Sequence, residues 1–245
     1  MATITLVSDD RQSAERKFYS RMALFMVLVV LIGFAPSFYL RGYVHYPRPN
    51  PTLPPAVLLH GMLFSLWMLV LVAQTQLVAA GRRDLHMKLG IFGLALAVAI
   101  IPLMYLVAVW QVARANQPPF TDPLNWTIVP LSAIPPYAFL LWTGYRNRRT
   151  SQVHKRAMLS AALLLMHPAI GRIPLGPPSL AIFALGGVLS IAMFIPLMLW
   201  DRKSLGRVHH VTWLGFGLAS AALIVSLLLL ATGTWAPIAE HLPGV

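Results

Sequence analysis

Residues 55–90, PAVLLHGMLFSLWMLVLVAQTQLVAAGRRDLHMKLG, place a basic connection between two apolar segments. The segment 55–80 contains no Asp, Glu, Lys or Arg, whereas the next eight residues include Arg82, Arg83 and Lys88. A helix needs roughly 20 mainly apolar residues to cross the hydrocarbon core of a bilayer. The stretch therefore predicts a membrane-spanning helix, a short polar loop and the start of a second spanning helix.

The composition of the whole chain agrees with this local pattern. Of the 245 residues, 58% are hydrophobic and only 11% are charged, whereas about 25% of the residues of an ordinary soluble domain are charged. These values predict an all-α, polytopic membrane helical bundle. The chain has no cysteine, which excludes disulfides, thiolate metal sites and the CxxCH attachment of haem.

Apolar runs of spanning length recur along the chain, and we expect seven transmembrane helices in a single domain, 22–232. A polar N-terminal tail, 1–21, precedes this domain and a short tail, 233–245, follows it. The runs are 22–41, 55–80, 88–112, 126–145, 156–174, 179–200 and 209–232.

The basic residues are distributed unevenly between the two sides of these helices. Fifteen of the 19 Lys and Arg residues fall in the N-terminal tail or in the loops 81–88, 146–156 and 201–207. The positive-inside rule then places the N-terminus in the cytoplasm and the C-terminus outside, in the cytoplasmic (inner) membrane. Because the net charge of +12 lies in short loops, it predicts contact with anionic lipid headgroups at the inner face and no binding of nucleic acid.

The chain lacks the residues that several common functions of membrane proteins require. No Asp or Glu lies in the middle of a predicted span, where a proton relay or cation pump would need one. The four lysines are also terminal to the spans, so the Schiff base of a retinal protein has no candidate. No nucleotide-binding or hydrolase motif is present.

Histidines are the remaining candidates for chemistry. At the predicted inner side, His86, His154, His209 and His210 each follow a basic cluster at the start of a helix. The positive end of the helix dipole disfavours the charged imidazolium there, and a neutral imidazole is the form that binds metals or haem iron. The alternative interpretation is that these are interfacial residues without a ligand.

Two histidines lie deeper, in the predicted outer half of the bundle. His60 shares one face of its helix with Trp67 and Gln74, since these residues are seven apart. His167 lies near the outer end of the run 156–174, and Arg172 beyond it could contact an anionic headgroup or a carboxylate of a cofactor. Such polar groups face the bundle interior by default, although they could also serve only as hydrogen bonds between helices.

A bis-histidine haem requires two imidazoles that face each other from different helices. The natural outer pair is His60 with His167, and the natural inner pair is His86 with His154. His154 and His167 are 13 residues apart, which is about 20 Å along a straight helix and roughly 140° around its axis. Pro168 lies beyond this interval, so we expect its kink to change the angle little.

The segments LHGMLFSLWMLVLVAQTQL, LHMKLGIFGLALA and HKRAMLSAALLLMHPAIGRI resemble a bacterial membrane family of unknown function, the DUF2306-type proteins. The resemblance implies no activity. A looser similarity is to cytochrome b561-like bundles, in which four helices supply four haem-ligating histidines, whereas here three helices would supply them. The positions that carry the first resemblance are His60, Gln74 or Gln76, His86, Leu89, Gly90, His154, Arg156 and Met158.

Three functions remain open from the sequence. The leading hypothesis is an electron-transfer protein that binds haem b through His60 and His167, with a second site at His86 and His154, and that exchanges electrons with a quinone or another redox partner. The second is a non-haem transition-metal site at the inner helix ends, formed by His86, His154 and His209 or His210. The third is a non-catalytic subunit, assembly factor or solute conduit with structural histidines and no cofactor.

Overall fold

The computed structural model describes residues 2–44, 46, 50 and 52–245, with side chains from Asp10 onward. This part of the chain is helical and contains no β-strand. A π-helical turn, Ala35–Tyr39, extends the first helix. The α-helices are α1 (Ala2–Phe34), α2 (Pro55–Ala79), α3 (Arg83–Arg114), α4 (Pro123–Trp126), α5 (Ile128–Arg146), α6 (Ser151–Leu164), α7 (His167–Ile170), α8 (Leu180–Ala192), α9 (Ile195–Leu205), α10 (His210–Thr232) and α11 (Ala236–Ala239).

Six helical segments of the described chain are long and apolar enough to cross a membrane. On the outer faces of these helices, large apolar side chains such as Leu28, Ile91 and Leu228 are more than half exposed, as expected of helices that contact lipid. The protein is therefore an integral, multi-pass helical membrane protein. The six segments are Asp10–Tyr39, Pro55–Ala79, Arg83–Arg114, Pro123–Arg146, Leu180–Leu205 and His210–Thr232.

Of the seven predicted spans, the run 156–174 is the one that is not among these six segments. It forms α6 and α7, which are too short to be counted as spanning segments. The number of seven transmembrane helices and the orientation of the termini therefore stay predictions.

Helix α6 forms the centre of the bundle, where it packs against α5 and α10. Four small side chains of this helix are fully buried, those of Ala157, Ser160, Ala161 and Ala162. Small residues allow helix backbones to approach closely, which explains how a 14-residue helix is enclosed by its neighbours.

The contacts define two ends of the bundle. The "basic end" contains the connections 80–82, 147–150 and 206–209. The "opposite end" contains α4 and α11, where the Asn125 side chain accepts a hydrogen bond from the Ala236 amide at 2.8 Å. The two sequence-predicted tails contain helix: α1 begins at Ala2, and α11 lies within 233–245.

Candidate functional site

The basic end brings together two histidines from different helices. His86 lies in the first turn of α3 and His154 in the first turn of α6. Their ring centroids are 6.3 Å apart, and the ring planes are nearly perpendicular, at 87°. The structure thus forms the inner pair that the sequence suggested.

The orientation of the His154 ring is fixed by the main chain of α5. Its Nδ1 lies 2.9 Å from the carbonyl oxygen of Gly144. A carbonyl oxygen can only accept, so Nδ1 of this imidazole carries the proton and donates it. In the neutral ring, Nε2 is then left with a free lone pair, which is the arrangement found in most histidines that bind a metal.

The spacing of His86 and His154 fits a metal centre held between them. With metal–nitrogen bonds of about 2.0–2.1 Å, two imidazoles on opposite sides of one ion have ring centroids roughly 6–6.5 Å apart. The observed distance of 6.3 Å lies in this range. Both side chains are half-buried, so that a group bound here would be partly shielded from water.

The other two histidines at this end form a separate pair. The rings of His209 and His210 are stacked at 4.2 Å, and Nδ1 of His209 accepts a hydrogen bond from the Val211 amide at 3.2 Å, which caps α10. Burial and the nearby Arg156 guanidinium lower the pKa of His209 to about 4. Within the described ranges, no three His, Asp or Glu side chains are grouped so that they could hold a metal ion, so the three-histidine metal site is not preformed.

An ion pair that the sequence reasoning missed lies beside these histidines. The side chains of Arg156 on α6 and Asp201 on α9 are both fully buried. Arg156 donates from Nε and Nη2 to Oδ1 of Asp201, at 2.8 and 2.6 Å. The other carboxylate oxygen accepts from the His209 amide at 3.0 Å and from the Thr212 hydroxyl at 2.6 Å.

This ion pair joins the start of α6, the end of α9 and the start of α10. The sequence reasoning gave Asp201 no role, and it named Arg156 only as a residue of the basic loop 146–156 and of the family resemblance. The available signal was that Asp201 is the single acidic residue in the otherwise basic connection 201–207.

The two deeper histidines occupy the opposite half of the bundle. His60 lies in the second turn of α2, with its ring 6.3 Å from that of Phe64. His167 is the first residue of α7, and its ring lies 4.7 Å from Phe183 of α8. The aromatic neighbours of the two rings are thus different, Phe64 for His60 and Phe183 for His167.

Arg172 connects this region to α1. Its guanidinium donates to the Pro168 carbonyl oxygen at 2.6 Å and lies over the Phe34 ring, 4.3 Å from the centroid. Arg172 is thus held beside α7, whose first residue is His167.

The interval between His154 and His167 is not one uninterrupted α-helix. A proline ring clashes with the carbonyl group four residues earlier, which here belongs to Leu164. Helix α6 ends at Leu164, and α7 begins only at His167. The angle of about 140° was calculated for a straight helix and stays a prediction.

The remaining residues of the predicted polar stripe have different surroundings. Trp67 is 2% exposed and contacts the Tyr137 ring edge to face at 5.7 Å, so it belongs to the core. Both polar atoms of the Gln74 amide are inaccessible to solvent, and neither has a hydrogen-bond partner among the described residues.

No family model, curated protein or solved structure matches this chain.

Proposed function

We propose that this protein is a b-type haem protein of the cytoplasmic membrane that transfers electrons and is linked to quinone or another redox partner. The observation that carries the proposal is the pair His86 and His154: two imidazoles from different helices, 6.3 Å apart, one of them oriented by the Gly144 carbonyl. We assign one haem site to His86 and His154 at the basic end and a second to His60 and His167.

In this proposal the protein supplies ligands, orientation and a partly dehydrated environment, whereas haem supplies one-electron chemistry. Gly144 holds the His154 ring so that Nε2 is available as a ligand. In the other half of the bundle, Arg172 provides the positive charge that would bind a carboxylate of the cofactor.

The proposed topology follows from burial and charge. Helices α6 and α7 would form the seventh crossing, enclosed by other helices instead of exposed to lipid. The basic end would face the cytoplasm, where exposed Arg82, Arg148 and Arg207 attract anionic lipid headgroups. Nucleic acid is not proposed as a partner.

The test is an absorption spectrum of the protein purified in detergent, first oxidised and then reduced with dithionite. We expect the bands of a low-spin b-type haem, either as purified or after addition of haemin. His86→Ala and His154→Ala should each remove the inner component, and His60→Ala and His167→Ala the outer one. His210→Ala is the matched control, because this histidine is exposed.

Absence of a Soret band in the purified protein, together with its absence after haemin is added, contradicts haem binding. A band of unchanged intensity in all four alanine variants contradicts the assigned ligands. If neither a band nor a stoichiometric transition metal is found, the histidines are structural, and the protein is a non-catalytic membrane component.

A further inference from the structure

His86 and His154 differ in the hydrogen bonding of their Nδ1 atoms. Nδ1 of His154 donates to the Gly144 carbonyl oxygen. Nδ1 of His86 is inaccessible to solvent and has no hydrogen-bond partner in the described part of the chain. A histidine that binds a metal almost always donates its other N–H to a carbonyl, carboxylate or water, so the site is incomplete on the His86 side.

Gln74 faces the start of α3 from the neighbouring helix. Helices α2 and α3 pack against each other, and a Cβ added at Gly90, one turn after His86, would be 3.6 Å from Gln74 Nε2. A buried acceptor, Gln74 Oε1, and a buried nitrogen, His86 Nδ1, thus belong to two helices in contact, and the described residues satisfy neither.

We infer that Gln74 is a positioning residue for His86: its side-chain oxygen accepts the Nδ1–H of His86, so that Nε2 of this ring keeps its lone pair for the bound group. The inference rests on the proposed haem function. Gln74 would then act on His86 as the Gly144 carbonyl acts on His154, so that both ligands have the same tautomer.

Gln76 provides a matched control on the same helix. It is also a glutamine of α2, but its Nε2 already donates to Ser20 Oγ at 2.7 Å. Gln74→Met removes the amide with little change in volume, and Gln74→Glu keeps an acceptor oxygen at the same position. Gln74→Asn keeps an amide but shortens its reach.

The first experiment measures the tautomer of His86 by ¹⁵N NMR in the cofactor-free protein in lipid nanodiscs. We expect the Nδ1–H form in the native protein and in Gln76→Met, and a shift toward the Nε2–H form in Gln74→Met and Gln74→Asn. An unchanged tautomer in both Gln74 variants overturns the inference, because the Gln74 side chain would then have no effect on the His86 ring.

The second experiment is a haemin titration followed by absorbance. Loss of a hydrogen-bond partner of a metal-binding histidine lowers affinity about 10–100-fold, and we expect this loss for Gln74→Met, with recovery in Gln74→Glu and no change in Gln76→Met. Equal affinity of Gln74→Met and the native protein overturns the inference. If the native protein binds no haemin, the proposed function fails, while the NMR result still decides the role of Gln74.

Discussion

Replacement of the buried ion pair tests most directly how the basic end is held together. Removal of one partner from a buried pair leaves an uncompensated charge, which costs about 3–5 kcal/mol. The two partners are not equivalent here. Asp201 also accepts hydrogen bonds from the His209 amide and the Thr212 hydroxyl, whereas the further partner of Arg156 within the described residues is Gln152.

We therefore expect Asp201→Ala to destabilise the protein more than Arg156→Met. After Asp201→Ala, the guanidinium cannot lose its charge, and two further donors each lose a bond worth about 1–3 kcal/mol, so the total reaches about 5 kcal/mol or more. After Arg156→Met, the carboxyl group keeps two donors and can take up a proton, and we expect a loss near 3 kcal/mol, the lower end of the range.

The assay is equilibrium unfolding in mixed detergent micelles at neutral pH, with helical circular dichroism as the readout. Asp84→Asn is the control, because Asp84 pairs with Arg82 at a site where the side chains are 57% and 58% exposed, and we expect a much smaller loss of stability. The reasoning is refuted if Arg156→Met is the more damaging change, or if both changes at the buried pair cost no more than the control.

Two other predictions concern backbone packing and pH. Gly33→Ala should destabilise the protein by about 1–3 kcal/mol, since a Cβ there would overlap the Ala169 main-chain oxygen. In the control Gly217→Ala the Cβ meets nothing within 4 Å, and we expect a gain in stability of about 0.5–1 kcal/mol. Equal melting temperatures for the two variants would contradict this packing. Because the pKa of His209 is about 4 in the folded state and about 6.5 when unfolded, the unfolded chain binds a proton first as pH falls, and stability should decrease between these values. Protonation also removes the hydrogen bond that Nδ1 of His209 accepts from the Val211 amide. His209→Asn keeps a helix cap and should reduce the loss of stability measured in unfolding titrations between pH 7 and pH 4. If stability depends on pH equally in this variant and in the native protein, His209 is not the group responsible.

The sequence predicted the helical membrane class because long apolar runs and short basic loops depend only on local composition. It also identified His86 and His154 as a pair, since two helix starts on one side of a membrane must lie at similar depth. It did not predict that the run 156–174 forms two short helices, because Ala and Leu suit contact with protein and with lipid equally.

The buried ion pair could not be predicted from the sequence for a different reason. Arg156 and Asp201 are 45 residues apart, and each lies next to basic residues that the positive-inside rule assigns to a loop. Only the packing of α6 against the ends of α9 and α10 removes both side chains from water. The break between α6 and α7 was also difficult to predict from the sequence, because Pro168 acts on the carbonyl group of Leu164, four residues before it in the chain.

The enclosed position of α6 has a consequence for biosynthesis. Arg156 lies near the start of α6, and its carboxylate partner is synthesised 45 residues later. The buried guanidinium therefore cannot be neutralised by Asp201 until α9 has been synthesised. A chain that ends before Asp201 lacks this carboxylate, whereas a chain extended through Thr212 contains both the ion pair and the hydroxyl donor that holds it.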